Sequence, residues 1–118
     1  MKPEIDDVYA VLRQWAMDKK PQTYGDLSRD YQARTGHWFE PHGSWDVPLG
    51  DLNNRLASSG LPALSALVIL QVENEPGGRF WGCAPNVPHR PKNDLQRITE
   101  WDRIVKAVIA QNWPHVLP

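Results

Sequence analysis

The stretch GLPALSALVILQVENEPGGRFWG, residues 60–82, decides how this chain is read. A Pro-containing entry leads into an apolar run, the run stops at ENEPGG, and Phe80 and Trp81 follow at once. An apolar run rich in branched residues and bounded by turn residues reads as a buried strand. A Pro-Gly-Gly turn followed by a second apolar stretch reads as the returning strand. The segment therefore predicts an antiparallel β-hairpin, 64–72 against 79–84, whose inner leg plugs a core and whose ENEPGG tip projects as a wing.

Helical periodicity surrounds it. Ile5, Val8, Tyr9, Leu12, Trp15 and Ala16 recur at the spacing of one helix face and predict a helix over 4–18. Glu4, Asp6 and Asp7 at its start and Lys19 and Lys20 at its end suit the helix dipole, and Pro21 closes it. In TYGDLSRDYQARTG, Thr23 with Asp26 forms a capping-box variant and Gly36 a C-terminal stop, which predicts a helix over 24–34. Pro48 fits a first turn, and Leu49, Leu52 and Leu56 form the stripe of a third helix that ends at Gly60. After a Pro-rich linker, Leu95, Ile98, Trp101, Val105, Val108 and Ile109 predict a last helix over 94–112. Helix, helix, loop, helix, hairpin, helix is the winged-helix plan. The expected fold is a single α+β winged-helix domain, residues 1–118, in which three helices roof a two-stranded wing and a C-terminal helix closes the core or serves as a dimerisation arm.

Composition narrows the function. The chain of 118 residues is 41% hydrophobic and 23% charged, sufficient for one domain with its own core. A net charge of −1 argues against a strongly basic nucleic-acid binder, though not against a local basic face. The single cysteine, Cys83, excludes an internal disulfide and a Cys-rich zinc site. MKPEIDDVYAVLRQW carries acids where a signal peptide carries bases, and no apolar stretch is long enough to span a bilayer, so a cytoplasmic protein without membrane contact is expected.

The third helix carries the first candidate site. Set in a major groove, it would turn Asp51, Asn53, Asn54 and Arg55 outward, and Asn and Arg are the side chains that read adenine and guanine edges bidentately. The alternative is a polar helix face; Arg55 is the one positive charge between Glu40 and Glu73. Arg79, after the glycine pair of the wing, could enter a minor groove or meet a phosphate, but Glu73 and Glu75 share that loop. Residues 89–118 hold five Lys and Arg against three Asp and Glu, the most basic region, and read equally as a solvated helix face. In the loop GHWFEPHGSWDVP, Trp38, Phe39 and Trp45 could form a stacking platform or plug an open core end. Trp38, Trp45 and Trp113 are the candidate anchors of a protein interface, because interface hot spots favour Trp, Tyr and Arg. His37, Glu40 and His42 lie close in sequence but lack the further ligands a metal site needs. Cys83 reads as a core cysteine, with His89 the nearest candidate base. No Ser-His-Asp pattern, phosphate loop or carboxylate pair stands out, so the protein is expected to be non-enzymatic, with no cofactor and no metal.

TYGDLS…PLGDLNNRLASSGLPALSALVILQVENEPGGRF resembles the winged-helix domain of the alkylguanine-DNA alkyltransferases and their alkyltransferase-like relatives. In that family a Pro-Cys-His-Arg motif supplies the alkyl acceptor. The matching stretch here is Pro62-Ala63-Leu64-Ser65, with Ala63 at the acceptor position and neither His nor Arg after it. The arginine that the family places before its LG helix is also missing, with Asp46 and Val47 there instead. The chain resembles more closely, over residues 23–81, a set of short bacterial domains that pair a YxxLS helix with a GLPxLSALVV…PGxGF strand and wing, alone or attached to nucleases. Both resemblances imply a winged helix, and the missing acceptor implies that alkyl transfer is lost. No activity is assigned to the second set; the company it keeps with nucleases tips the expectation to a non-enzymatic module contacting nucleic acid, with double-stranded DNA as the partner, in a bacterial or phage defence or mobile-element setting. A protein-interaction module or small inhibitor using exposed aromatics is the alternative.

Overall fold

The computed structural model describes residues 1–118. In chain order it contains α1 (Ile5–Met17), β1 (Gln22–Thr23), α2 (Tyr24–Thr35), α3 (Asp46–Ser58), β2 (Val68–Ile69) and α4 (Asp94–Ala110), with 3-10 turns at Leu64–Leu67 and Gly78–Phe80. The result is a mixed α+β domain of four helices and a two-stranded sheet.

The helices form where periodicity and caps place them. α1 buries Val8, Tyr9, Val11, Leu12, Trp15 and Ala16 and stops before Pro21, which lacks the N–H to continue it. α2 opens on a reciprocal capping box: Asp26 N donates to Thr23 Oγ1 and Thr23 N to Asp26 Oδ2, each at 3.1 Å. It ends at Gly36, whose φ of 82° carries the chain away from the helix. α3 buries Pro48, Leu49, Leu52, Asn53 and Leu56. Asn93 caps α4 by accepting from Leu95 N and Gln96 N. α4 buries Ile104, Val105 and Val108 in its second half only; its first half is held by Trp101 Nε1, which donates to Ala66 O at 2.8 Å, and by Arg97.

The expected antiparallel hairpin does not form. Leu64–Leu67 coils as a 3-10 turn, and only Val68 and Ile69 are extended. They pair in parallel with Gln22 and Thr23, which lie between α1 and α2. Parallel strands require a long crossover, here supplied by α2 and α3. The return leg also coils, at Gly78–Phe80. The chain does reverse, at Leu70–Glu75, where Leu70 N donates to Glu75 O and Asn74 N to Leu70 O. The expectation failed because an apolar run of this length is buried equally well as strand or as 3-10 turn, and periodicity alone does not separate them.

Ala63–Val68 is buried throughout and packs against α1, α3 and α4 at the centre of the core. A second focus ties the 36–45 loop down: Tyr31, Phe39 and Trp45 pack edge to face, with centroids 5.4–5.9 Å apart. Trp45 Nε1 donates to Ser28 Oγ, which donates to Phe39 O.

Thr23→Ala removes the cap of α2 at the residue that also carries β1. It should lower stability by about 1 kcal/mol in urea unfolding. Burial alone would raise the Asp26 pKa, but hydrogen bonds from Thr23 and the Arg29 charge bring it below the ordinary value of 3.8. Its stabilising contribution is therefore present above that value and lost as pH falls through the lowered pKa, so the gap between the native chain and Asp26→Asn should close at acid pH.

Candidate nucleic-acid interface

α3 presents one open stripe, formed by Val47, Asp51, Asn54, Arg55 and Ser58. The adjacent ridge is covered by the segment after the Leu70–Glu75 reversal, which runs alongside α3 in the same direction. Arg79 Nε lies 3.5 Å from Asp46 Oδ2, Asn54 Nδ2 lies 3.5 Å from Cys83 O, and Asn86 Nδ2 donates to Asn53 O at 3.1 Å. Gly82 lets this segment turn: its φ is 73°, and a Cβ there would lie 3.0 Å from His89 Nδ1. The segment thus flanks α3 where a wing was expected, held by side chains instead of a strand ladder.

The four residues expected to face nucleic acid divide. Asn54 and Arg55 are exposed on the open stripe, and the Arg79 side chain is 83% exposed beside the first turn of α3. Asn53, expected outward, is fully buried. Its Nδ2 donates to Ser65 Oγ at 2.6 Å and approaches Cys83 Sγ at 3.5 Å, while its Oδ1 accepts from Ser65 N at 3.4 Å. At one residue before Asn54 it sits about 100° round the helix, on the inner side. Arg55 does not stand free, since its Nε donates to Pro118 O at 2.7 Å.

Of the three tryptophans expected at a protein interface, Trp38 alone is exposed, at 44%, with its Nε1 donating to Glu40. Trp45 and Trp113 are core residues; a tryptophan at an N-cap or after a helix end can bury its ring as readily as show it. His37 and His42 are exposed, and no three His, Cys, Asp or Glu residues come together to hold a metal ion.

Cys83 shares a crevice of about 10 Å³ with Tyr24, Asp46, Ser65, Arg79 and Phe80, room for a single water at most. Burial pushes its thiol above the ordinary value of 9.0, and the Asn53 contact offsets this only in part. A thiol so placed is poorly ionised near neutrality and correspondingly unreactive.

The basic region after residue 89 is largely paired off. Arg103 meets Glu100 at 2.9 Å and Lys106 meets Asp102 at 2.7 Å. Arg97, only 13% exposed, lies between Asp94 and Glu75, each at 2.7 Å. Its hydrogen bonds to the Glu75 and Asp94 carboxylates raise its already high pKa further. Arg90 and Lys92 are the remaining cations there. No helix is long and apolar enough to cross a membrane.

Comparison of the chain with family models, with curated proteins and with solved structures finds no match.

The Asn53–Ser65 link was not legible, because nothing in NNR marks one asparagine as inner and the next as outer except the Leu49–Leu52–Leu56 stripe, whose inner face extends to position 53. Asn53→Ala should destabilise the chain by about 1–3 kcal/mol, the cost of leaving the Ser65 amide and hydroxyl without their partner. Asn54→Ala should change stability by less than about 0.5 kcal/mol. Paired urea titrations check both.

Proposed function

We propose that this chain is a non-enzymatic winged-helix-like module that contacts double-stranded DNA through α3. The observation that carries the reading is the exposure of Asn54 and Arg55 on α3 and of Arg79 beside its first turn. α3 offers an open polar stripe there, and Arg79 stands free of the core at the first turn of the same helix. Asn54 and Arg55 supply the donors that reach base edges in a major groove, and Arg79 supplies a phosphate contact. The sequence resemblance to winged-helix domains that act on DNA points the same way. Asn53 takes no part in this contact; it fixes α3 to the core. With Asp51 on the stripe and Arg55 and Arg79 the cations at α3, binding rests on few phosphate contacts, so it is weak and its salt slope is shallow, about 0.9 for each phosphate.

Fluorescence anisotropy with a labelled duplex, titrated from about 50 to about 200 mM salt, tests this. Binding is expected at the low end. Arg79→Ala should flatten the dependence of log K on log salt by about 0.9, the value of one phosphate contact. Asn54→Ala should weaken binding without changing that slope. Absence of binding at the lowest salt rejects the reading.

A second reading, a protein-interaction module, draws on a different observation. The first half of α4 exposes Leu95 at 74% and Ile98 at 49%, one turn apart, beside charges that neutralise one another. Exposed aliphatic residues amid balanced charge suit a protein partner better than a phosphate backbone. Under this reading, Leu95→Ser with Ile98→Ser abolishes capture of a partner from lysate and leaves duplex binding unaltered; capture that survives the pair excludes it.

A further inference from the structure

The C-terminal end of α3 and the second half of α4 leave a groove between them. α3 gives way at Gly60, whose φ is 71°; Gly60 N donates to Ala57 O and Leu61 N to Leu56 O. The chain leaves through Pro62, and the turn closed by Val87 N on Ala84 O supplies a further wall. The groove holds about 430 Å³ and is lined mainly by short apolar side chains, Ala57, Pro62, Pro85 and Ala107 among them. Arg103 is the one charged residue that lines it, and Asn86 lines it too. Asn86 Nδ2 donates to Asn53 O at 3.1 Å and to Leu61 O at 3.0 Å. Both amide hydrogens are therefore spent, and the flipped amide would set its oxygen against two carbonyl oxygens. Asn86 Oδ1 is buried without a partner, the one side-chain atom of the chain in that position.

A buried amide oxygen without a donor is costly, and a ligand that brings one recovers that cost on binding. Walls of Ala and Pro leave a slot suited to a flat ring, and the volume lies within the range of about 300–1,000 Å³ typical of small-molecule sites. The charge at the groove is positive. Arg103 spends Nε and Nη2 on Glu100 Oε2, at 3.2 and 2.9 Å, and its side chain, 63% exposed, keeps Nη1 for a second carboxylate. We propose that this groove binds a small aromatic acid carrying a hydroxyl, with the ring against the Pro and Ala walls, the hydroxyl donating to Asn86 Oδ1 and the carboxylate meeting Arg103. A hydroxyl is a slim enough donor to pass the side chains that cover Oδ1, which part slightly as it enters. The site shares no residue with the open stripe of α3 and does not depend on the duplex-binding reading.

Heteronuclear NMR titration of the full chain tests it with three probes. These are para-hydroxyphenylacetate, phenylacetate, which lacks the hydroxyl, and tyramine, which keeps the phenol and reverses the charge. The hydroxy acid should shift the amide signals of Ala57, Leu61, Asn86 and Ala107. It should bind about three- to tenfold more tightly than phenylacetate, the worth of one hydrogen bond, and more tightly than tyramine. Arg103→Gln, at an exposed side chain, should erase the preference over tyramine and keep the preference over phenylacetate. Ala107→Phe fills the groove from an exposed helix position and should abolish the shifts while far-ultraviolet circular dichroism stays native. Equal affinity for the two acids overturns the proposal, because the Asn86 oxygen then takes no part. Shifts that map elsewhere, or that survive Ala107→Phe, overturn it as well, and so does the absence of any shift up to about 5 mM hydroxy acid. The duplex-binding reading is decided separately by the anisotropy titration, and either result there leaves this test unchanged.

Discussion

Six consecutive residues, Ala63–Val68, run through the centre of the domain, and their backbone must find hydrogen bonds away from water. A strand ladder would satisfy them in a single operation, but this segment is mostly a 3-10 turn and cannot use one. Its needs are met one at a time from different elements. Ser65 N donates to Asn53 Oδ1 from α3, Ala66 O accepts from Trp101 Nε1 of α4, Ala66 N turns back to Ala63 O, and β2 pairs with β1 at the head of α2. An unpaired buried amide or carbonyl costs on the order of 1–3 kcal/mol, so these contacts fix where α3 and α4 sit as firmly as the apolar packing does. The polar demand of one buried stretch thereby sets the arrangement of the helices around it.

The same demand separates what was legible in the sequence from what was not. Helices depend on short-range periodicity and caps, and these are visible locally: Thr23 with Asp26, Gly36, Pro48, and the Leu49–Leu52–Leu56 stripe. A reversal was visible for the same reason, but the sequence signals put it at ENEPGG, whereas the chain turns at Leu70–Glu75. The pairing partner of Val68 and Ile69 was not, because β1 is two residues long and is separated from β2 by two helices. Nor could the roles of polar residues be read from their types. Asn53 and Asn54 are adjacent and identical, yet one serves the buried backbone and the other faces solvent. Trp45 and Trp113 resemble Trp38 in an aromatic loop or tail, and all three find an acceptor for the indole N–H, but only the first two bury the ring, Trp45 against Tyr31 and Phe39 and Trp113 against Tyr9.

Charge explains why this four-helix α+β domain does not look like a strong nucleic-acid binder. Six of its thirteen cations lie beside carboxylates: Arg29, Arg103 and Lys106 within their own helices, Arg34 with Asp7, Arg79 with Asp46, and Arg97 with Asp94 and Glu75. Exposed pairs of this kind add little stability. Their larger effect is on the outer field, which they flatten, and a flat field gives slow encounter and weak non-specific affinity. Arg97 and Glu75 differ from the rest in being mostly enclosed, and they fasten the Leu70–Glu75 reversal to α4. The reversal is therefore held at its base by an ion pair, while Val72 at its tip stands in solvent.

Rigidity and freedom are thus distributed unevenly around α3. Its inner side is bound to Ser65 through Asn53, so the helix has no freedom to tilt relative to the core without breaking buried hydrogen bonds. The two segments that border its outer side are different in kind. Residues 79–90 reach α3 through Arg79, Asn54 and Asn86 while burying Phe80, Trp81, Ala84 and Val87, and the tail crosses to it through Leu117 and Pro118 O. Neither is in a ladder. A ligand that meets α3 meets a helix whose position is set from its inner side. That division follows from the buried stretch at the centre: because Ala63–Val68 takes its hydrogen bonds from the inner face of α3, the outer face is left with side chains that no other part of the core requires.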